Sequence, residues 1–159
     1  MVEDVPLHAA TLRYFDVAGP FAAAVGTPLP APLRATVMEG GLVLAWLRPT
    51  ETLAFSEDAA PIAELSERLT QATGGHVVEL TGGLEAFRLR GSRVAELLSR
   101  LGSTAIGLGV GEARRGRFAD VSVLVVCVRA EEVLLVVDRA YAEHLRGWVE
   151  ATLANWREG

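Results

Sequence analysis

The residues most able to do chemistry are scattered along the chain, and their spacing fits neither a metal site nor a nucleophilic active site. The three histidines, His8, His76 and His144, lie far apart, whereas metal sites usually draw paired ligands from one helical turn or one short loop. No serine lies in the G-x-S-x-G turn of a hydrolase nucleophile. All 15 basic residues are arginines, so no lysine is available as a Schiff base or general base.

Cys127 is the single cysteine, which excludes an internal disulfide bond. It lies in the most apolar segment of the sequence, where no neighbouring positive charge would favour a reactive thiolate. We therefore expect Cys127 to be a small core residue. The lone cysteine and the lack of a secretory leader in the sequence both predict a reducing, cytoplasmic location.

The glycine-rich segment at residues 102–111 (GSTAIGLGVG) has the composition of a phosphate-binding loop but the wrong surroundings. A dinucleotide fingerprint requires a strand before it and a helix after it, and a Walker loop ends in lysine. Here a predicted helix precedes the segment and predicted strands follow it. The segment is therefore predicted to be a turn, and we expect the chain to bind neither flavin nor nucleotide.

Length and charge exclude several classes of protein. A chain of 159 residues matches one ordinary domain, so residues 1–159 are predicted to form a single domain. The net charge of −5 argues against nucleic acid as a partner, because such binding needs clustered positive charge, and the densest basic cluster, at residues 114–117, has three arginines. The longest apolar run, Val121–Val128, is far shorter than the ~20 residues that span a membrane, so we expect no membrane contact either.

Predicted strand pairs alternate with single helices. Amphipathic helices are expected near residues 59–73, 92–101 and 139–156, capped by Asp58, Ser92 and Asp138. Strands are expected at residues 9–16, 35–38, 42–48, 52–56, 76–81, 84–90, 117–128 and 133–137.

Two tight connections set the fold class. Gly82–Gly83 and Arg129–Glu132 each separate two predicted strands, which is typical of hairpins. Because hairpins join antiparallel strands, we predict an α+β fold with a mostly antiparallel sheet and flanking helices on one side.

The first half of the chain resembles the gamma subunit of heterotetrameric sarcosine oxidase. Residues 12–30 (LRYFDVAGPFAAAVGTPLP) resemble the family's opening strand, short Ala-rich helix and Leu-Pro. Residues 46–53 (WLRPTETL) resemble its Trp-Leu-Gly-Pro-Asp-Glu-Trp-Leu, from which Arg48, Thr50 and Thr52 depart.

The second half continues the resemblance in the same order. Residues 84–102 resemble the family's strand, Gly-Pro turn and Ala-Leu-Leu helix, residues 117–121 its next strand, and residues 137–149 (VDRAYAEHLRGWV) its closing helix. The similarity spans about residues 9–156, and its specificity lies in the order and spacing of these motifs.

That family is similar in turn to the folate-binding region of the glycine-cleavage T-protein, an aminomethyltransferase. There, a Gly-Tyr-Thr-Gly-Glu turn and a following acidic residue help to hold the folate. Residues 129–137 (RAEEVLLVV) lack this turn, and Leu134 stands where the acidic residue would be. A buried leucine leaves the donor groups of a pterin unpaired, which costs roughly 1–3 kcal/mol each. The resemblance thus implies an aminomethyltransferase folate-binding-domain-like fold that has lost its ligand.

The resemblance implies a non-catalytic accessory subunit of a bacterial, flavin-dependent, sarcosine oxidase-like amine oxidase complex. Large flavoprotein subunits would be its partners and would carry FAD, FMN, NAD and folate, so no cofactor is expected in this chain. A second hypothesis is a module of one-carbon metabolism that keeps a folate-like pocket. A third is a stand-alone domain that self-associates, in which case the isolated chain would be a homo-oligomer.

A candidate partner interface follows from the proline-rich segment Gly26–Leu33 and the region Trp46–Leu53. Extended backbone that contains proline pairs poorly within its own sheet and needs partners elsewhere. The alternative that this segment wraps its own sheet stays open. Trp148 and Trp156 on the last helix are further candidates for exposed aromatic residues. The candidate interface residues are Trp46, Pro49, Glu51, Pro28 and Pro30.

Overall fold

Every strand in the part of the chain that the computed structural model describes, residues 2–102 and 109–157, pairs antiparallel with its neighbours. The strands are β1 (Val2–Val5), β2 (His8–Tyr14), β3 (Ala35–Val37), β4 (Val43–Arg48), β5 (Glu51–Ser56), β6 (Gly75–Glu79), β7 (Leu84–Arg90), β8 (Ala113–Phe118), β9 (Val121–Arg129) and β10 (Glu132–Asp138). The helices are α1 (Pro20–Ala24), α2 (Ala59–Thr70), α3 (Val94–Leu101) and α4 (Ala142–Arg157), the last preceded by a 3₁₀ turn at Arg139–Tyr141.

The strands form two five-stranded sheets rather than the one sheet predicted, and each sheet belongs to its own compact unit. Unit 1 comprises Met1–Val5 and Gly83–Gly159, and its sheet has the order β1-β7-β10-β9-β8. Unit 2 comprises Pro6–Gly82, and its sheet has the order β3-β4-β5-β2-β6. The α+β, mostly antiparallel fold class is confirmed, whereas the single domain over residues 1–159 stays a prediction.

In unit 2, α1 and α2 pack on one face of the sheet. Alternation along β2 directs Leu12 and Tyr14 toward Phe21 of α1, and the Tyr14 and Phe21 rings stack with their centroids 6.4 Å apart. Helix α2 contributes a stripe at helical spacing, and its buried members are Ile62, Leu65 and Leu69.

In unit 1, α3 and α4 pack together on one face of the sheet. Their apolar sides meet the β-branched strands β9 and β10, whose residues suit a pleated and buried surface. The large side chains at the centre of this core are Phe87, Leu97, Leu98, Phe118, Leu135 and Leu145.

The predicted hairpin around Gly82–Gly83 is wrong. β6 pairs with β2, and β7 pairs with β1 and β10, so the strands on either side of the two glycines lie in different sheets. A glycine pair marks a change in chain direction, but long-range pairing decides which strands become neighbours. The hairpin at Arg129–Glu132 is confirmed by the pairing of β9 with β10.

The predicted strand at residues 117–128 is in fact two strands, β8 and β9. Ala119 (φ 49°) and Asp120 (φ 65°) turn the chain between them with left-handed backbone conformations. Asp120 is a residue that tolerates this conformation, but Ala119 is not, so the turn carries only a weak local signal. β1 was not predicted either, since the four residues VEDV show only weak alternation.

Helix ends differ from the predicted ones by a few residues. α2 stops at Thr70 instead of Thr73, and α3 has Arg93, not Ser92, at its N-cap position. Asp58 occupies the N-cap position of α2 without a side-chain hydrogen bond. The Asp138 carboxylate accepts a hydrogen bond from the Ala140 N–H, so it caps the 3₁₀ turn that leads into α4.

Candidate functional site

The three histidines lie on separate elements, as their spacing predicts. His8 is on β2, His76 is on β6, and His144 is exposed on α4, where its Nε2 lies 2.8 Å from the Ala119 carbonyl oxygen. The described residues contain no group of three or more histidine, cysteine, aspartate or glutamate side chains that could hold a metal.

Cys127 is a buried core residue on β9, as predicted. Its Sγ donates a hydrogen bond to the Arg129 carbonyl oxygen at 3.2 Å. Burial, and next the charge of Glu112, raise the pKa of the thiol above its ordinary value. A thiol whose pKa is raised stays protonated at neutral pH, so Cys127 is a poor nucleophile.

The glycine-rich segment is described only at its two ends, because residues 103–108 lie outside the described part of the chain. Its first glycine, Gly102, ends α3 and pairs with Phe118 as an isolated bridge. A side chain at Gly102 would overlap the Arg117 carbonyl and the Phe118 ring, so this glycine serves close packing. The predicted turn in residues 103–108 stays a prediction.

Leu134 is buried in β10, between Arg88 of β7 and Val126 of β9. The guanidinium group of the neighbouring Arg88 bonds to carboxylates of this chain, Glu3 and Glu132, each at 3.3 Å. The position that the resemblance matches with a folate-binding carboxylate is therefore apolar and enclosed.

The β4–β5 hairpin brings together three of the five predicted interface residues. Trp46 is half-buried, and its backbone N–H donates to the Arg34 carbonyl oxygen at 3.0 Å. Pro49 is exposed in the turn, and the Glu51 carboxylate pairs with Arg48 at 3.3 Å and with Arg13 at 3.8 Å. Since both arginines belong to unit 2, Glu51 already has local partners.

The proline-rich segment Gly26–Leu33 was expected either to form a partner interface or to wrap its own sheet, and it has features of both. Pro30 is buried, so part of the segment packs within its own unit. Pro28 is exposed and lines a groove of about 440 Å³ beside α1, together with Val17 and Leu29. The segment thus wraps its own unit and also forms one wall of an open groove.

Phe15 and Val17 are exposed apolar residues that the sequence analysis missed. The Phe15 side chain is 84% exposed, and Val17 at the mouth of the groove is 64% exposed. The segment YFDV looks like a continuing strand, but β2 ends at Tyr14 and the chain turns at Asp16, whose side chain accepts from the Ala18 N–H. Exposed apolar side chains that lie together mark interaction surfaces.

The two tryptophans of α4 have different environments. Trp156 packs against the core of unit 1, and the guanidinium groups of Arg93 and Arg100 both lie over its ring. Trp148 is 54% exposed, and Tyr141 is 53% exposed. Of the two candidate exposed aromatic residues, Trp148 is therefore largely exposed and Trp156 is partly buried, whereas Leu145 and Val149 take the centre of the buried face of the helix.

These observations define an α+β protein with exposed apolar residues, and comparisons with known proteins show the family to which it belongs. The family model described as the sarcosine oxidase, gamma subunit family matches residues 14–155, which is most of the chain. The chain belongs to the sarcosine oxidase gamma subunit family. Comparison with curated protein sequences gives no match.

Two solved structures share the fold. Heterotetrameric sarcosine oxidase from Corynebacterium sp. U-96, in complex with pyrrole 2-carboxylate, matches with a TM-score of 0.85 and 22% identity over 98% of this chain and 84% of that chain. Glycine cleavage system aminomethyltransferase T from Bartonella henselae matches with a TM-score of 0.70 and 15% identity over 93% of this chain and 44% of that chain. Both resemblances inferred from the sequence are thereby confirmed at the level of fold.

No helix of the described residues is long and apolar enough to cross a membrane.

Proposed function

We propose that this chain is a non-catalytic accessory subunit that docks onto the large flavoprotein subunits of a cytoplasmic, sarcosine oxidase-like complex. Its place as an accessory subunit of a sarcosine oxidase complex follows from its family. The absence of catalysis and the identity of the partner surfaces are our proposals.

The dispersion of the reactive side chains supports a non-catalytic role. The histidines lie on three different elements, and burial raises the pKa of the Cys127 thiol. General acid–base catalysis needs a titratable group within hydrogen-bond reach of the reacting proton, and nucleophilic catalysis needs an activated nucleophile beside a base. The separation of the three histidines and the protonated Cys127 thiol among the described residues therefore support the proposal.

The observation that carries the docking proposal is the exposed apolar surface of unit 2. Val17 lines a groove together with Pro28 and Leu29, and Phe15, two residues before Val17, extends into solvent. Exposing an aromatic ring to water is unfavourable by about 25 cal/mol for each Å², and a partner that covers it recovers this free energy. Pre-ordered proline-containing backbone also loses little entropy on binding.

The β4–β5 hairpin is the second part of the proposed interface. Trp46 is half-buried and Pro49 is exposed, and Arg13 and Arg48 hold the Glu51 carboxylate in place. Tryptophan is enriched among the residues that dominate binding energies, because its large ring buries much area at small entropic cost. Trp46, Pro49, Glu51 and Pro28 therefore stay our candidate interface, whereas the buried Pro30 supports the segment from within.

Cofactors would lie in the partner subunits. We propose that FAD, FMN, NAD and folate bind there, since Leu134 and the paired Arg88 leave no free charged group at the matched folate position. Titration of the isolated chain with each cofactor, followed by fluorescence or calorimetry, should show no saturable binding. Micromolar binding of a folate would instead favour the one-carbon module, which the fold shared with the aminomethyltransferase keeps as a second candidate.

Co-expression tests the docking proposal directly. The chain is tagged and produced together with the large sarcosine oxidase subunits of the same organism, and the stoichiometry of the purified complex is measured by mass photometry. We expect Val17→Ala and Trp46→Ala to weaken assembly while the melting temperature of the isolated chain changes little. Val37→Ala is the matched control, because Val37 is an exposed valine of the same unit outside the groove.

The outcomes differ clearly. If the unaltered chain does not assemble with the large subunits, the proposed function is wrong. If assembly survives Val17→Ala and Trp46→Ala unchanged, the chain docks elsewhere. A large fall in melting temperature for Trp46→Ala alone would assign Trp46 to the core of unit 2 and remove it from the interface.

A further inference from the structure

Strand β6 (Gly75–Glu79) forms one edge of the sheet in unit 2. It pairs antiparallel with β2 on one side, and no described strand pairs with its other side. Two backbone hydrogen bonds mark the ends of this pairing. The Leu80 N–H donates to the Ala9 carbonyl oxygen at 2.9 Å, and the Phe15 N–H donates to the Gly74 carbonyl oxygen at 3.1 Å.

These two bonds determine which residues of β6 face β2. In an antiparallel pair, every second residue exchanges its backbone hydrogen bonds with the partner strand. The register therefore directs the N–H and C=O groups of His76 and Val78 toward β2. Gly75, Val77 and Glu79 point their N–H and C=O groups away from the sheet, where no described residue bonds to them.

The other edge strands of the described sheets carry protection that β6 lacks. β1 has Glu3 and Asp4 among its four residues, and β8 has three arginines. β3 is three residues long and follows the proline-rich segment Gly26–Leu33. Charge, proline and short length are the usual means by which an edge strand avoids pairing with another chain. β6 has five residues with two adjacent valines and one carboxylate, that of Glu79, so its edge is open to a further strand.

The sequence of β6 is complementary to itself in one antiparallel register. With Val77 opposite Val77 of a second copy, Gly75 of each copy lies opposite Glu79 of the other. Each of these three residues in each copy then donates one hydrogen bond and accepts one, which gives about six bonds across the pair. The two Glu79 residues lie at opposite ends of the paired strands, about 14 Å apart along them. That separation exceeds the screening length of about 8 Å at physiological ionic strength, so these charges do not oppose the pairing.

We propose that β6 pairs antiparallel with β6 of a second copy of this chain, with the two Val77 residues at the two-fold axis. The pairing joins the unit 2 sheets of both copies into one continuous sheet. It uses the same surface on each copy and therefore closes as a dimer, without growth into a fibre. A second copy is selected as the occupant because β6 matches itself over its full length with no like charges opposed. The inference does not rest on the proposed function, since β6 contains none of the candidate interface residues.

A cysteine cross-link tests the pairing together with its register. Cys127 is the single cysteine, so Cys127→Ser in the full chain gives a background without thiols. Opposed residues of a hydrogen-bonded antiparallel pair lie ~5.5 Å apart at Cα, a distance that a disulfide bond spans. In this background we expect Val77→Cys to form a covalent dimer on mild oxidation, which a non-reducing gel resolves. Glu79→Cys, two residues further along the strand, is the matched control and should cross-link at least ~10-fold more slowly, because its two copies lie too far apart.

Proline substitution tests the backbone bonds between the copies. The Val77 N–H faces away from β2, so Val77→Pro removes a donor of the dimer without removing a bond between β2 and β6. We expect Val77→Pro to raise the dissociation constant of the dimer at least ~10-fold, measured by sedimentation velocity from ~1 to ~100 μM chain. Val77→Ala keeps the N–H and should raise it less than ~3-fold. Glu79→Pro and Glu79→Ala form a second matched pair at an exposed position, should Val77→Pro impair folding.

Each result decides the matter. A free chain that stays monomeric at every concentration, or equal cross-linking of Val77→Cys and Glu79→Cys, would overturn this inference. A dimer that Val77→Pro and Glu79→Pro leave intact forms through another surface, and the inference is again wrong. If the free chain is a monomer and Val77→Pro instead weakens binding to the large sarcosine oxidase subunits, the edge takes a strand of that partner and our choice of occupant is wrong.

Discussion

The guanidinium carbon of Arg93 lies 4.0 Å from the centroid of the Trp156 ring. Arg100 lies on the same ring at 5.1 Å, and both arginines bond to the Glu96 carboxylate between them, each at 2.9 Å. The hydrogen bond from Arg93 is the main cause that lowers the pKa of Glu96, and the interaction with Arg100 adds to it, so the carboxylate stays charged. The three charged groups on α3 thus hold the last aromatic residue of α4, and they join the two helices of unit 1.

Trp156 and Trp148 form a natural pair for a stability experiment on one helix. Trp156→Ala should destabilise the chain by about 2–4 kcal/mol, because a packed aromatic ring and its cation–π contacts are lost. Trp148→Ala should change stability by less than about 0.5 kcal/mol, since that ring faces solvent. Chemical denaturation of the two variants checks this, and equal losses would contradict the packing described for α4.

Gly75 and Gly147 should respond to alanine with opposite signs. A Cβ at Gly75 would lie 2.5 Å from the Arg13 carbonyl oxygen and 2.5 Å from a carbon of the buried Phe21 ring. We therefore expect Gly75→Ala to destabilise the chain by about 1–3 kcal/mol. Gly147→Ala should stabilise it by roughly 0.5–1 kcal/mol, because Gly147 lies in a helix with open space around it. Differential scanning fluorimetry measures both signs, and a lower melting temperature for Gly147→Ala would show that the helical glycine is needed for folding.

Substitutions at Glu132 and Glu51 test how burial of the arginine partner changes the contribution of an ion pair to the free energy of unfolding. Each side chain is 12% exposed and pairs with two arginines. Arg88, a partner of Glu132, is 10% exposed, whereas Arg13, a partner of Glu51, is 53% exposed. Glu132→Ala should cost about 1–3 kcal/mol because it removes a carboxylate from a nearly buried cation.

Glu51→Ala should cost less than about 1 kcal/mol, since its cations keep their contact with water. Urea denaturation of the two variants gives the comparison. A loss at Glu51 as large as that at Glu132 would mean that exposure of the arginine does not control the effect.

Cys127 should react slowly with thiol reagents in the folded chain. Burial raises the pKa of the thiol, so less thiolate is present at a given pH than in the unfolded chain, by roughly tenfold for each pKa unit. The labelling rate should rise with pH in both states, and the rise should come at higher pH in the folded state. Reaction with a chromogenic disulfide, with and without denaturant, measures this, and Cys127→Ser provides the blank. Equal rates in the two states would contradict the burial of Cys127.

Local signals predicted the helices and most strands, but not which strands become neighbours. The helical spacing of Ile62, Leu65 and Leu69 and the glycines after it were enough to place α2. The turn at Ala119 and Asp120 was missed because left-handed backbone at an alanine is held by the surrounding sheet and not by the preference of the residue, and Asp120 alone is a weak signal. Pairing between distant segments, such as β1 with β7, leaves no mark in either segment alone.

The candidate surfaces were predictable to a smaller extent. The proline content of residues 26–33 was a sufficient signal for an extended, partly exposed segment, and the structure places Pro28 at a groove. Phe15 was missed as an exposed residue, because hydrophobic side chains are assigned to a core by default, whereas Trp148 was among the aromatic residues expected to be exposed. Their exposure depends on where β2 ends and on the rotational phase of α4, and both are set by tertiary packing.

The pairing of β1 with β7 has a consequence for synthesis of the chain on the ribosome. Val2–Val5 leave the ribosome before their partner Leu84–Arg90, which follows about eighty residues later. The whole of Pro6–Gly82, which forms its own compact unit, is made in between. Since domains generally fold as units during synthesis, unit 2 can form while Val2–Val5 wait as an unpaired strand. The order of translation thus makes the sheet of unit 1 depend on a strand that is made before the whole of unit 2.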